Sequence, residues 1–97
     1  MRYEIILAPE AVEDLKELNA YWRAAVRDGL EMCLRYEPTK RSRSRIKRLR
    51  GLRRPQYRLR IDDVRVLYDV LEERVEILAI VEKSKVNEWL KRVGNPD

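Results

Sequence analysis

The sequence contains no histidine and a single cysteine, Cys33. One thiol cannot close an internal disulfide, and with no imidazole to join it the usual zinc ligand sets are excluded. The missing histidine also removes Ser-His-Asp and Cys-His mechanisms, so any proton transfer must run through Lys, Arg, Tyr, Asp or Glu. Long apolar runs are missing as well. The longest, Ile77 to Val81, is five residues, too short for a membrane span or for the apolar stretch of a signal peptide. With 44% apolar and 40% charged residues, the chain reads as a single domain over residues 1–97 that buries one core. It is expected to be soluble and cytoplasmic, with no metal and no cofactor.

What the chain has in excess is positive charge, and that excess is local. The net charge is +5, but Arg35 to Arg60 holds twelve basic residues against the single acid Glu37, a net +11. The remainder carries ten basic and sixteen acidic residues, so a basic block sits in an acidic frame. Ten of the twelve are arginine, whose planar fork suits bidentate contact with phosphate and stacking on bases. Lys40, Arg41, Arg43, Arg45, Lys47, Arg48, Arg50, Arg53 and Arg54 are therefore expected to bind nucleic acid. A solvated basic loop is the competing reading.

Hydrophobic periodicity places the elements. Tyr3, Ile5 and Leu7 alternate as a first strand, and Ala8-Pro9-Glu10 opens a helix over 9–20 with Val12, Leu15 and Leu18 at helical spacing. Trp22, Val26, Leu30, Cys33 and Leu34 continue the period as a second helix over 21–36, closed by Glu37-Pro38. The two form a hairpin whose apolar stripes should cover one face of a sheet. Residues 39–45 have no apolar member and read as a flexible basic loop. Strands are expected near 46–50, 56–61, 64–71 and 74–81, and a final helix or tail over 83–93, stopped by Gly94, carries Val86, Trp89, Leu90 and Val93 on one stripe. The fold class is α+β: an N-terminal strand, a two-helix hairpin, then a three- to four-stranded antiparallel sheet with a short C-terminal helix or tail.

Treating Asp62-Asp63 and Glu72-Glu73 as two-residue hairpin loops, although neither contains glycine, fixes the faces by counting. Tyr57, Leu59, Ile61, Val64, Val66, Tyr68, Val70, Val75, Ile77, Ala79 and Val81 fall on the core face. Arg58, Arg60, Arg65, Leu67, Asp69, Glu76, Leu78, Ile80 and Glu82 fall on the other. Arg60 then lies directly opposite Arg65, a repulsion worth several tenths of a kcal/mol or more, on the order given for cross-strand pairs. A phosphate seated there would turn that repulsion into charge-assisted hydrogen bonds. Neutralisation by Asp69, Glu76 or Glu82 is the alternative.

These segments together resemble the RelE/ParE superfamily of bacterial toxins, and most closely the RelE-type messenger-RNA interferases. The resemblance rests on Tyr3-Glu4-Ile5 followed by Ala8-Pro9-Glu10, on Lys47-Arg48-Leu49-Arg50-Gly51, on Tyr57-Arg58-Leu59-Arg60 and on Val64-Arg65-Val66-Leu67-Tyr68, in this order along nearly the whole chain. It implies a RelE-like fold and the toxin of a type II toxin-antitoxin system, held inactive by an acidic or amphipathic antitoxin that wraps around it. It further implies a ribosome-dependent endoribonuclease that inhibits translation by attack of a messenger-RNA ribose 2′-OH on the adjacent phosphate, without a metal. Arg58 and Arg60 stand where such enzymes place two catalytic basic residues, and Arg65 at the position of the arginine that stabilises the transition state. Many members carry an arginine after the last strand and a tyrosine four residues later; here these positions read Lys83 and Asn87. Lys83 retains charge or a proton to give, so it joins the catalytic set. Two other readings remain open: a ParE-like inhibitor of DNA gyrase, and a catalytically decayed module that binds RNA or antitoxin.

Overall fold

The computed structural model describes residues 1–96. Its elements, in chain order, are β1 (Glu4–Leu7), α1 (Pro9–Glu17), α2 (Ala20–Leu34), β2 (Ile46–Arg48), β3 (Leu52–Arg54), β4 (Tyr57–Ile61), β5 (Val64–Leu71), β6 (Arg74–Glu82), a 3-10 turn (Lys83–Lys85), α3 (Val86–Val93) and β7 (Asn95–Pro96). The main sheet has five strands in the order β1-β6-β5-β4-β2, and β3 pairs with β7 in a second, two-stranded sheet. The α+β class and the strand, helical hairpin, sheet order are as expected. The sheet is wider, however, because β1 returns to lie parallel beside β6 and makes it mixed.

Both helices begin for local reasons. Pro9 occupies the first turn of α1, where its missing N–H costs nothing, and Asn19 caps α2 by accepting from the Trp22 N–H at 2.9 Å. That cap breaks the helical run earlier than the expected 20/21 boundary. Arg23 closes the corner by donating to the carbonyls of Leu15, Lys16 and Leu18 at the end of α1. Ala11 of α1 and Val26, Leu30 and Leu34 of α2 then pack on Leu59, Val66, Tyr68, Val75 and Ile77 of the sheet, all buried. The Tyr68 hydroxyl, deep in this layer, donates to the Pro38 carbonyl at 2.7 Å, and burial pushes its acidity far out of the accessible range.

Asp62-Asp63 and Glu72-Glu73 close the two hairpins, pairing Ile61 with Val64 and Leu71 with Arg74. Asp62 and Glu72 supply the left-handed turn conformation that glycine usually provides, with φ of 50° and 47°. The β4–β5 register matches the counted one throughout. The β5–β6 register does not: Tyr68 pairs with Ile77 but Leu67 with Ala79, so Leu78 is an extra residue in β6. Asp14 of α1 accepts from the Ile80 N–H beside this bulge at 2.9 Å, and burial raises its pKa above the usual carboxylate value. Beyond the bulge the side-chain parity inverts. Ile80 joins the helical-hairpin core, whereas Ala79 and Val81, expected there, turn to the opposite face.

That opposite face is not open along its length. Leu67, Leu78 and Ala79 are covered by Val86, Trp89 and Leu90 of α3, which form a second apolar layer with Leu49 and Val81. The indole N–H of Trp89 donates to Glu10 across from α1, so this ring has both its apolar body and its polar edge satisfied. Among the described residues no helix is long and apolar enough to cross a membrane.

Candidate phosphate-binding site

The part of the second face that α3 leaves uncovered belongs to the basic residues of β2, β4 and β5. Lys47 of β2 lies directly opposite Arg58 of β4, and Arg60 of β4 directly opposite Arg65 of β5. Paired positions point to the same side of a sheet, so four cations are gathered where cross-strand repulsion is greatest. Arg43, Arg45, Lys47, Arg58, Arg60 and Arg65, with Ser42, Ser44 and Ile46, line one cleft of about 70 Å³, and among the described residues no acidic side chain lines it.

Arg65 sits deepest, 6% exposed, with its Nη1 donating to the Asp62 carbonyl at 2.7 Å and the Val64 carbonyl at 3.1 Å. These contacts fold the guanidinium back over the hairpin turn without a carboxylate partner. Its pKa is lowered from the ordinary arginine value, first by burial and then by the charges of Arg58 and Arg60. The Nε of Arg58 is shielded from solvent and has no hydrogen-bond partner among the described residues. A buried donor left without an acceptor costs about 1–3 kcal/mol, so the cleft is short of one acceptor, and an anion would supply it.

The acids that could have neutralised the face are engaged elsewhere. Asp69 and Glu76 both pair with Arg54, the first at 3.3 Å, and Asp69 also accepts from the Gln56 N–H at 2.7 Å. Burial raises the Asp69 pKa, against the lowering by that N–H and by Arg54. Among the described residues no ion pair involves Arg58, Arg60, Arg65, Lys47 or Glu82. Replacing the exposed Arg60 by glutamine is therefore expected to raise stability by a few tenths of a kcal/mol, measured by denaturant unfolding, with the gain shrinking at high salt.

The remaining residues of the basic block are dispersed. Lys40 pairs with Glu37 at 3.5 Å, Arg48 donates to the Gln56 carbonyl at 2.7 Å and lies over the Tyr57 ring, and Arg54 is held as described. Arg41, Arg50 and Arg53 are exposed and lie outside the cleft. The loop before β2 is folded as a turn, in which the Ser42 hydroxyl accepts from the N–H groups of Arg45 and Ile46. Lys83 does not line the basic cleft. It lies in a separate cleft with Leu18, Trp22, Asp63, Val64, Glu82 and Ser84. Lys47, read from the sequence only as part of the binding run, is a member of the central cluster, a placement that depends on the β2–β4 register. Tyr57 stacks on Tyr68 with ring centroids 5.5 Å apart, and Trp89 is buried, so neither ring is free to receive a base. No three His, Cys, Asp or Glu side chains come together among the described residues.

Residues 5–86 match the family described as ParE toxin of type II toxin-antitoxin system, parDE. The chain belongs to this family. Solved structures agree with the RelE/ParE superfamily that its motifs resemble. It superposes on the toxin-antitoxin complex RelBE2 of Mycobacterium tuberculosis with a TM-score of 0.67 at 26% identity, over 84% of this chain and 99% of that one. The archaeal RelE-RelB complex of Pyrococcus horikoshii gives 0.65 at 27% identity, over 89% and 100%. The isolated Escherichia coli RelE toxin shares the fold, with a TM-score of 0.65 at 20% identity over 93% and 97%. No curated protein matches the sequence.

Proposed function

We propose that this toxin cleaves messenger RNA in translating ribosomes and that the basic cleft holds the scissile phosphate. The observation carrying this reading is the cleft lined, among the described residues, by six basic side chains and no acid, with a shielded Arg58 Nε that has no acceptor among those residues. In the proposed reaction the ribose 2′ oxygen bonds to the adjacent phosphorus, the bond to the 5′ oxygen breaks, and one proton leaves the nucleophile while another reaches the departing oxygen. The products are a 2′,3′-cyclic phosphate and a 5′-OH. Arg58, Arg60 and Arg65 act on the extra negative charge of the pentacoordinate state, which pre-placed donors stabilise more than they stabilise the ground state. Arginine keeps its proton. Lys47 is the one lysine lining the cleft, so it is the cleft's own side chain suited to move a proton. Lys83, lying in the separate cleft, contributes charge at longer range. Lys83→Ala is expected to lower cleavage by less than about tenfold, against about a hundredfold or more for a donor in contact with the phosphate.

The partner that restrains the toxin is an antitoxin, as in the RelBE2 and RelE-RelB complexes whose folds it shares. Inducible expression in a bacterial host, read by growth and by primer extension on a translated message, tests the function. Cuts that appear only while the message is being translated are expected. The ParE description of the matched family keeps the second reading, inhibition of DNA gyrase, beside the first. Growth arrest with intact message and falling plasmid supercoiling would establish that reading instead, and no arrest would leave only a binding module.

A further inference from the structure

A second concavity opens beside the basic cleft. It has a volume of about 430 Å³ and runs between α2 and β4. Ser44, Arg45 and Arg60 line both spaces, so the two border one another at these side chains. Its floor is of a different kind: Ala25 and Gly29 of α2, Ile61 of β4 and the largely exposed Met32. Gly29 makes the floor low, since a Cβ there would stand 2.6 Å from the Ile61 Cδ1. Met32 is 78% exposed, where burial against a partner would be favourable. Asp28 and Asp62 stand at its walls, yet neither forms an ion pair with Arg45 or Arg60 among the described residues.

We infer that this groove receives the nucleotide adjoining the scissile phosphate. This rests on the RNA-cleaving reading above. Arg45 and Arg60 would share the next phosphate of the strand, and the base would lie over Met32, Gly29 and Ile61. An apolar floor reached through two arginines fits a unit that is anionic at one end and flat and apolar at the other, which describes a nucleotide. Met32 is flexible and polarizable, so it accommodates any base face and gives little sequence preference. An acidic peptide would meet the same arginines but also Asp28 and Asp62, which repel it where a base edge, carrying donors, does not.

The test is nuclear magnetic resonance titration of the 15N-labelled full chain with short RNAs carrying 2′-deoxyribose at the cleavage position, so that they bind uncut. A dinucleotide with one phosphate is expected to shift the amides of Arg58, Arg60 and Arg65. Extending it by one nucleotide, at the 5′ or at the 3′ side, should add shifts at Ala25, Gly29 and Met32 and tighten binding about tenfold. The dependence of log affinity on log salt should steepen by about 0.7 for the added phosphate. Met32→Glu should remove the added affinity and leave dinucleotide binding unchanged. Shifts confined to the cleft with every RNA would overturn the groove while sparing the phosphate site. Absence of shifts with all the RNAs would remove both. Groove shifts with a polyglutamate peptide but not with RNA would make it a protein-docking surface and end this assignment.

Discussion

Arg65→Ala is expected to lower message cleavage by about 10²–10³-fold, the loss typical when one pre-placed donor to a developing charge is removed. The loss should appear in primer extension at equal protein levels, together with loss of growth arrest. Arg65 is the buried member of the cluster, folded over the β4–β5 turn by two backbone carbonyls and flanked by two like charges. In the proposed reaction each of these features would strengthen its action on an anion, because a fixed charge in a shielded site need not reorganise. The same features make it poor for stability, since it is desolvated and repelled. Folding should therefore survive the substitution: the unfolding midpoint in denaturant is expected to stay close to that of the wild type. Arg65→Lys separates charge from geometry. It keeps the cation but not the planar fork, and cleavage should recover only in part. An equal loss of activity and of folding in Arg65→Ala would mean that the arginine is structural.

The largest effect on stability is expected from Trp89→Ala, at about 3–5 kcal/mol. Trp89 is the centre of the layer that α3 lays over Leu67, Leu78 and Ala79, and its N–H is tied to Glu10. Removing the ring opens a cavity against the sheet and leaves Leu67 and Leu78 facing water. At roughly 4–8 °C per kcal/mol for a domain of this size, the fall in Tm should exceed 10 °C, measurable by circular dichroism. Trp89→Phe should restore most of the packing and lose the hydrogen bond to Glu10.

How much of this could be read from the sequence depended on whether a residue's place is set locally. The β4–β5 hairpin was legible because Asp62-Asp63 fixes the turn and strict alternation carries the register onward, so the opposition of Arg60 and Arg65 followed by counting. The bulge at Leu78 was not, since Ile77 to Val81 is apolar at every position and no alternation marks a slip. The Ile80 N–H beside the bulge is satisfied by Asp14, in a helix far away in sequence. β3 and β7 carry no apolar pattern at all, and they exist because they pair with each other. The basic block was legible as charge but not as a site: Arg54 and Arg58 look alike in sequence, yet one is matched with Asp69 and Glu76 and the other faces the cleft. Only the register of β2 shows that Lys47 belongs beside Arg58.

The parallel seating of β1 beside β6 sets the order of events during synthesis. Glu4 pairs with Arg74 and Leu7 with Ile77, so the first strand closes a loop of most of the chain. Such a closure is slow in entropic terms and cannot begin until its partner strand exists. While the chain is being made, α1 and α2 can form, but their apolar faces have no complete sheet to cover and the first strand waits unpaired. Arg65 also lacks its neighbour Val81 until the same late strand arrives. A nascent copy thus completes the sheet beneath its cluster of charges only after β6 has been made, near the end of synthesis.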